Sequence, residues 1–420
     1  MIETVRLKNG LRMVFEELSH VKSASVGIWV RAGSINEIKK NSGISHFIEH
    51  MMFKGTDRYS AKDIAVNVDR IGAQINAFTG KEATCYYIKT ISEKLDDACD
   101  ILADMFLNSK FDKELMEREK QVIYEEMKMS ADDPDDLAHD MLCEMIFKEH
   151  PLGKAILGTK TSLKGITRNM VMNYIRDEYT LDSIVVSVSG SFDKERLIEF
   201  FNEKFSVLGS SKSEFKPNVY EYKRSCKAKH KDVEQAHVFM GIPTIAISDE
   251  RYYSFSVMNT LMGGSMGSRL FQNVREEKGL AYSVYSMHAS YQDTGYFMVY
   301  AGVGNDKIKP ALNAVREELE LLKKSGVSEE EMDTAKQQIK SSFVFAQENT
   351  NSRMIANGKN LLLMNRVFEP DEVIKELNNV RRDDMMEVAE FIGNINDYSV
   401  SLVAGNKISL PGLMKGVLND

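Results

Sequence analysis

The chain has 420 residues, 43% of them hydrophobic and 28% charged, with a formal net charge of −8. That length exceeds one ordinary core and predicts two or three domains of globular composition. The acidic balance without any Lys/Arg block argues against nucleic acid as a partner, and no run approaches the ~18 apolar residues of a membrane span.

The first residues lack both the charged-then-apolar pattern of a signal peptide and the Arg/Ser-rich character of an organelle presequence. Cys85, Cys99, Cys143 and Cys226 are widely spaced and read as reduced cysteines, so a cytoplasmic protein is expected. A hairpin turning at Asn9-Gly10 is predicted over residues 4–14, followed by an apolar strand near 24–32. A helix then carries His46-Phe47-Ile48-Glu49-His50. One strand is predicted across 76–90, and a long helical region over 93–129 with a break near Lys110.

His46 and His50 are one helical turn apart on the same face, so both imidazoles can reach one ion. Glu49 lies beside them, offset enough to hold a water rather than the metal. A zinc hydrolase needs such neutral imidazole ligands, an open coordination position and a carboxylate to take a proton from water. The competing reading is a chance spacing on a solvated helix.

The chain is written twice. Glu114, Met116, Lys120, Gln121 and Ile123 match Glu330, Met332, Lys336, Gln337 and Ile339 at a constant offset of 216, and residues 183–190 match 398–405 at an offset of 215. Two matches at nearly one offset indicate an internal duplication. Strands grouped with helices, without strict alternation, give the fold class as α+β: two homologous sandwich domains, each an antiparallel-type sheet packed with helices. The domains are placed at 1–208 and 217–420, joined by a Gly/Ser/Lys-rich linker at about 209–216. The second half has no histidine between His237 and His288, so it has no second His pair and is expected to contact substrate instead.

Two histidines leave a catalytic zinc one protein ligand short. On the helix from Lys113, the residues Leu115, Met116, Val122 and Ile123 form an apolar stripe that contains Glu119 and Glu126, while Glu117, Arg118 and Glu125 fall outside it. Carboxylates on a buried face are paired or bind a cation. These two, two turns apart, can serve one site as ligand and ligand-orienting partner. At the repeat offset they become Ala335 and Ser342, so the half without the histidines is also without these carboxylates.

With these motifs in place, the chain resembles the inverted-motif zinc peptidases of the pitrilysin/insulinase family, in the short bacterial branch similar to the mitochondrial processing peptidase. The resemblance covers nearly the whole length. In that family the third ligand follows the second histidine by about 76 residues, which falls on Glu126 (126 − 50 = 76). A further glutamate needed for activity falls on Glu119. The family's substrate-facing edge strand matches Asn76-Ala77-Phe78-Thr79, and its Arg–Tyr pair matches Arg275 and Tyr282. From the residues alone, those last two read as a helix-surface arginine and a strand tyrosine.

The resemblance implies a zinc endopeptidase acting on unfolded peptides or small precursor segments. His46, His50 and Glu126 would be the Zn2+ ligands, Glu49 the base, and Arg275 and Tyr282 substrate contacts that assist catalysis. It also implies a closed chamber formed by two chains, expected here as a homodimer. The alternative is a non-catalytic or partner-dependent subunit of a processing-peptidase-like complex.

Overall fold

The structure is a computed structural model that describes residues 2–148, 150–210, 220–406, 408 and 413. The first half runs β1 (Ile2–Arg6), β2 (Arg12–Glu17), β3 (Ser23–Val30), α1 (Ile44–Met52), α2 (Ala61–Arg70), β4 (Gln74–Thr79) and β5 (Thr84–Ile91). It continues through α3 (Leu95–Asn108), α4 (Lys113–Asp132), α5 (Pro134–Ile146), α6 (Lys160–Gly165), α7 (Arg168–Glu178), β6 (Ile184–Gly190) and α8 (Lys194–Lys204). The second half runs β7 (Cys226–His230), β8 (Gln235–Thr244), α9 (Tyr252–Gly263), β9 (Ala281–Ser290), β10 (Gly295–Gly304), α10 (Ile308–Ser325) and α11 (Glu329–Gln347). It ends with α12 (Thr350–Met364), α13 (Pro370–Asn379), α14 (Arg382–Ile392) and β11 (Ser399–Ala404).

Two sheets result, with one topology. The first has the order β1-β2-β6-β3-β5-β4 and the second β7-β11-β8-β10-β9. In each, a single parallel pair (β2 with β6, β7 with β11) sits among antiparallel neighbours. Strand for strand, the second sheet repeats the first without β1, the strand contributed by the Asn9-Gly10 hairpin. The α+β class and the two homologous domains are therefore as the sequence predicts. The single strand predicted across 76–90 is instead the hairpin β4–β5, which turns at Gly80, where Gly80 N–H donates to Ala83 C=O at 2.8 Å. The linker expected at 209–216 lies, from residue 211 on, outside the described residues.

Packing divides the chain into two compact units. One comprises Met1–Met127, Lys154–Lys216 and Val344–Glu369; the other comprises Lys128–Gly153, Pro217–Phe343 and Pro370–Asp420. The repeat and the packing units thus partition the chain differently, because each half lends one helix to the other sheet. In the first unit, α12 lies across β3 and β6; in the second, its counterpart α5 lies across β8 and β11. The same hydrogen bond seats each one: Ser187 Oγ donates to Met354 C=O at 2.8 Å, and Ser401 Oγ donates to Ala138 C=O at 2.6 Å.

In the first unit the inner strands β2, β3, β5 and β6 bury most of both faces, which is why β3 reads as a largely apolar run. Phe15, Val26, Ile28, Ile88 and Val188 face α1, α3 and α7, whereas Val14, Trp29, Cys85 and Val185 face Leu361 and Leu362 of α12. Gly358 permits that approach, since a Cβ there would collide with the Trp29 indole. Glu16, buried on β2, is held by Arg353 at 2.5 Å and Asn357 at 2.8 Å, both on α12. Breaking such a buried pair costs about 3–5 kcal/mol. Among the described residues no helix is long and apolar enough to cross a membrane.

Candidate metal centre

The helix that carries the histidines starts on a residue with no side chain to cap it. Gly43 takes a left-handed conformation (φ 90°), and the buried Glu37 carboxylate does the capping from a distance. It accepts Gly43 N–H at 2.6 Å and Ser45 N–H at 3.0 Å, two of the donors a helix start leaves unsatisfied. Burial pushes Glu37 up to about 7, against those two donors and the charge of Lys154. Ile44, Phe47, Ile48, Met51 and Met52 bury one face of α1 in the core, which leaves His46, Glu49 and His50 on the other.

The facing helix, α4, buries Met116, Glu119, Lys120 and Ile123. That ridge is rotated from the predicted stripe: Val122 is exposed, and Lys120 takes an inward place because its ammonium donates to Ile166 C=O at 2.8 Å. Long side chains can bury their stems when the head finds a partner. Glu119 lies inside as predicted, and Glu126 is partly exposed.

The side chains of α1 and α4 converge. His46 Nε2 lies 3.9 Å from one Glu126 oxygen, and His50 Nε2 lies 3.6 Å from the other. One ligand atom from each of the three residues lies within 4.8 Å of the other two, the one such cluster among the described residues. Ligands at ~2.0–2.1 Å from a tetrahedral ion sit about 3.3 Å apart, so the three atoms would draw closer together to hold zinc.

The protonation pattern agrees with that use. Glu119 accepts from His50 Nδ1 at 2.9 Å, which leaves the Nε2 lone pair aimed at the cluster. Burial, then the neighbouring His50, lower His46 to about 4, so its imidazole is neutral at neutral pH. His46 Nδ1 is buried with no hydrogen-bond partner among the described residues.

Glu49 stands beside the cage without joining it. The Thr79 hydroxyl of β4 donates to its carboxylate. Burial raises the Glu49 pKa; the Thr79 hydrogen bond and His50 oppose the rise, and Glu126 adds to it. A carboxylate raised toward neutrality is suited to general-base work. β4 is the edge of its sheet and pairs only with β5 among the described strands. Along it, exposed Asn76 accepts the Ala77 N–H, Ala77 packs on the core, and Phe78 meets Trp29 edge-on at 5.4 Å.

Arg275 and Tyr282 belong to the second unit. The Arg275 guanidinium lies over the Phe271 ring at 4.7 Å and the Tyr282 ring at 5.6 Å, and Tyr282 is 74% exposed. Two residues of the first site escaped the sequence reading. Glu37 gave no local signal. Lys54, whose ammonium reaches Glu119 at 2.7 Å, stands four residues beyond His50, a helical spacing that could have exposed it.

The sequence model for insulinase (peptidase family M16) matches residues 12–160, and that for the peptidase M16 inactive domain matches 165–339. The chain is 42% identical to the uncharacterized zinc protease YmxG of Bacillus subtilis, over 96% of this chain and 98% of that one. It is 36% identical to an uncharacterized zinc protease of Streptomyces coelicolor, over 92% and 87% respectively. Its fold superposes on the crystal structure of a protease from Helicobacter pylori with a TM-score of 0.89 at 23% identity, covering 96% of this chain and 99% of that one. With two halves of one topology and relatives matched end to end, the chain belongs to the insulinase family of peptidases, family M16.

Proposed function

We propose that this chain is a zinc-dependent endopeptidase of unfolded peptides or small precursor segments. The observation that carries this reading is the convergence of His46 Nε2, His50 Nε2 and the Glu126 carboxylate, with Glu119 fixing the His50 tautomer. The names of the relatives point the same way. Bound zinc would supply a Lewis acid and an acidified water.

The chain's own residues do the rest. Glu49 takes a proton from the attacking water and returns it to the leaving amine, with Thr79 holding its carboxylate in place. The free edge of β4 can receive the substrate as an added strand, so main-chain hydrogen bonds give affinity with little demand on sequence. Arg275 and Tyr282 offer a guanidinium and a phenol to a substrate carbonyl or carboxylate. The homodimer and its closed chamber belong to the same proposal, and the mass of the purified chain in solution tests them.

The primary test compares wild type with Glu49→Gln for zinc content and for cleavage of a quenched, unstructured peptide. The expected result is about one zinc per chain in both, with kcat about 10²–10⁴-fold lower in the variant. A wild type that holds zinc and cleaves nothing would favour the partner-dependent subunit.

A further inference from the structure

Glu119 is a carboxylate with two partners, one on each oxygen. Oε1 takes His50 Nδ1 at 2.9 Å, and Oε2 takes the Lys54 ammonium at 2.7 Å. Its side chain is only 7% exposed, so water cannot stand in for a missing partner. Lys54 sits on the turn that ends α1, where its N–H donates to Met51 C=O at 3.0 Å. The next residue, Gly55, accepts Lys110 N–H at 3.1 Å. The cation is thus placed by a backbone turn tied down on both sides and not by a flexible loop.

Charge balance gives Lys54 its role. The pocket gathers three carboxylates, Glu49, Glu119 and Glu126, around two imidazoles. A divalent ion cancels two of those charges, and Lys54 is the cation beside the third. The second copy supplies an independent observation. There Glu119 is replaced by Ala335, and the cation 215 positions after Lys54 is Arg269, whose guanidinium pairs instead with Glu331 of α11 at 2.6 Å. Where the Glu119 carboxylate is absent, the cation is of another type and takes another partner.

We infer that Lys54 is a positioning residue of the metal site: it neutralises Glu119 and holds its carboxylate against His50 Nδ1, so that His50 Nε2 is presented to zinc. The inference rests on the zinc reading above. Lys54 is not one of the three clustered ligand residues and its ammonium pairs with Glu119, so its effect is conditional on that residue.

The test is a double-mutant cycle on zinc affinity, read by competition with a chromophoric chelator and independent of peptidase activity. Lys54→Met is expected to weaken zinc about 10-fold or more, in line with other changes behind a metal ligand. Lys54→Arg, which keeps the charge, is expected to recover most of that loss. In a Glu119→Gln background, Lys54→Met is expected to change affinity less than about 3-fold, because the partner it acts through has lost its charge. Thermal melts of the metal-free proteins separate misfolding from weakened binding. Equal zinc affinity in Lys54→Met and wild type overturns the inference and leaves the zinc reading standing, as does an equal loss in both backgrounds. A wild type that takes up no zinc overturns both.

Discussion

Helices α4 and α11 are the same helix twice, and two of the positions at which they differ separate the copy with the candidate metal site from the copy without it. Met116, Lys120 and Ile123 of the first correspond to Met332, Lys336 and Ile339 of the second. The shared lysine does the same work in each: Lys120 donates to Ile166 C=O at 2.8 Å, and Lys336 to Val380 C=O at 2.5 Å, tying each helix to the segment before α7 or α14. Among the differences are Glu119 against Ala335 and Glu126 against Ser342, and these two carboxylates occur together with the histidines of α1, which α9 lacks. What the copies share holds a fold, and what they do not share gathers the candidate metal site. The family model that matches residues 165–339 carries the word inactive, in keeping with that loss.

Substitutions that make the first copy resemble the second test this division. The largest effect is expected from Glu126→Ser, which copies Ser342. Zinc stoichiometry should fall well below one per chain after dialysis, while the metal-free melting temperature barely moves, because Glu126 is partly exposed. A melt that collapses along with the zinc content would make Glu126 a structural residue.

Removing what the copies share should do the opposite. Lys120→Met leaves the Ile166 carbonyl without its donor in a buried place and should cost about 1–3 kcal/mol in urea denaturation, with zinc content kept. Lys336→Met, at a less buried position, should cost less. A loss of zinc from Lys120→Met at unchanged stability would end the separation of scaffold from site.

A smaller effect depends on pH. Glu37 has a folded pKa of about 7 against an ordinary value of 4.5. Between those values the folded chain holds a proton that the unfolded chain has released. This contribution to stability is therefore complete below about pH 4.5 and is lost as pH rises through about 7. Glu37→Gln mimics the protonated side chain. The metal-free variant should gain roughly 1–3 kcal/mol on wild type between about pH 5 and pH 8, as read by denaturant midpoints; a constant gap would place the Glu37 pKa near its ordinary value. The smallest effect is expected of Ser342→Glu. It restores an exposed carboxylate to a copy without histidines, so zinc should stay at one per chain and stability within about 0.5 kcal/mol.

Much of this site could be read before any coordinates, because its chemistry is local. His46, Glu49 and His50 share a helix face by spacing alone, and Glu119 and Glu126 are two turns apart on another. The repeat then located both carboxylates by their loss. Val122 and Lys120 could not be read this way. The helical phase of an isolated segment is uncertain by a fraction of a turn, and Lys120 can turn inward because a carbonyl 46 residues away, besides Glu117, accepts from its ammonium.

The sequence by itself determined the duplication, the α+β class and the helix carrying the two histidines, since all of these follow from periodicity and spacing within short segments. Tertiary structure alone decided that α5 and α12 each cover the other half's sheet. An amphipathic helix records that it has an apolar face but not which apolar face it will meet. Tertiary structure also decided the supports of the site: Glu37 capping α1 from seven residues before its first turn, Thr79 reaching Glu49 from an edge strand, and Lys54 closing on Glu119. Those contacts join residues between 6 and 65 positions apart, and only the folded chain brings their charges and donors within reach.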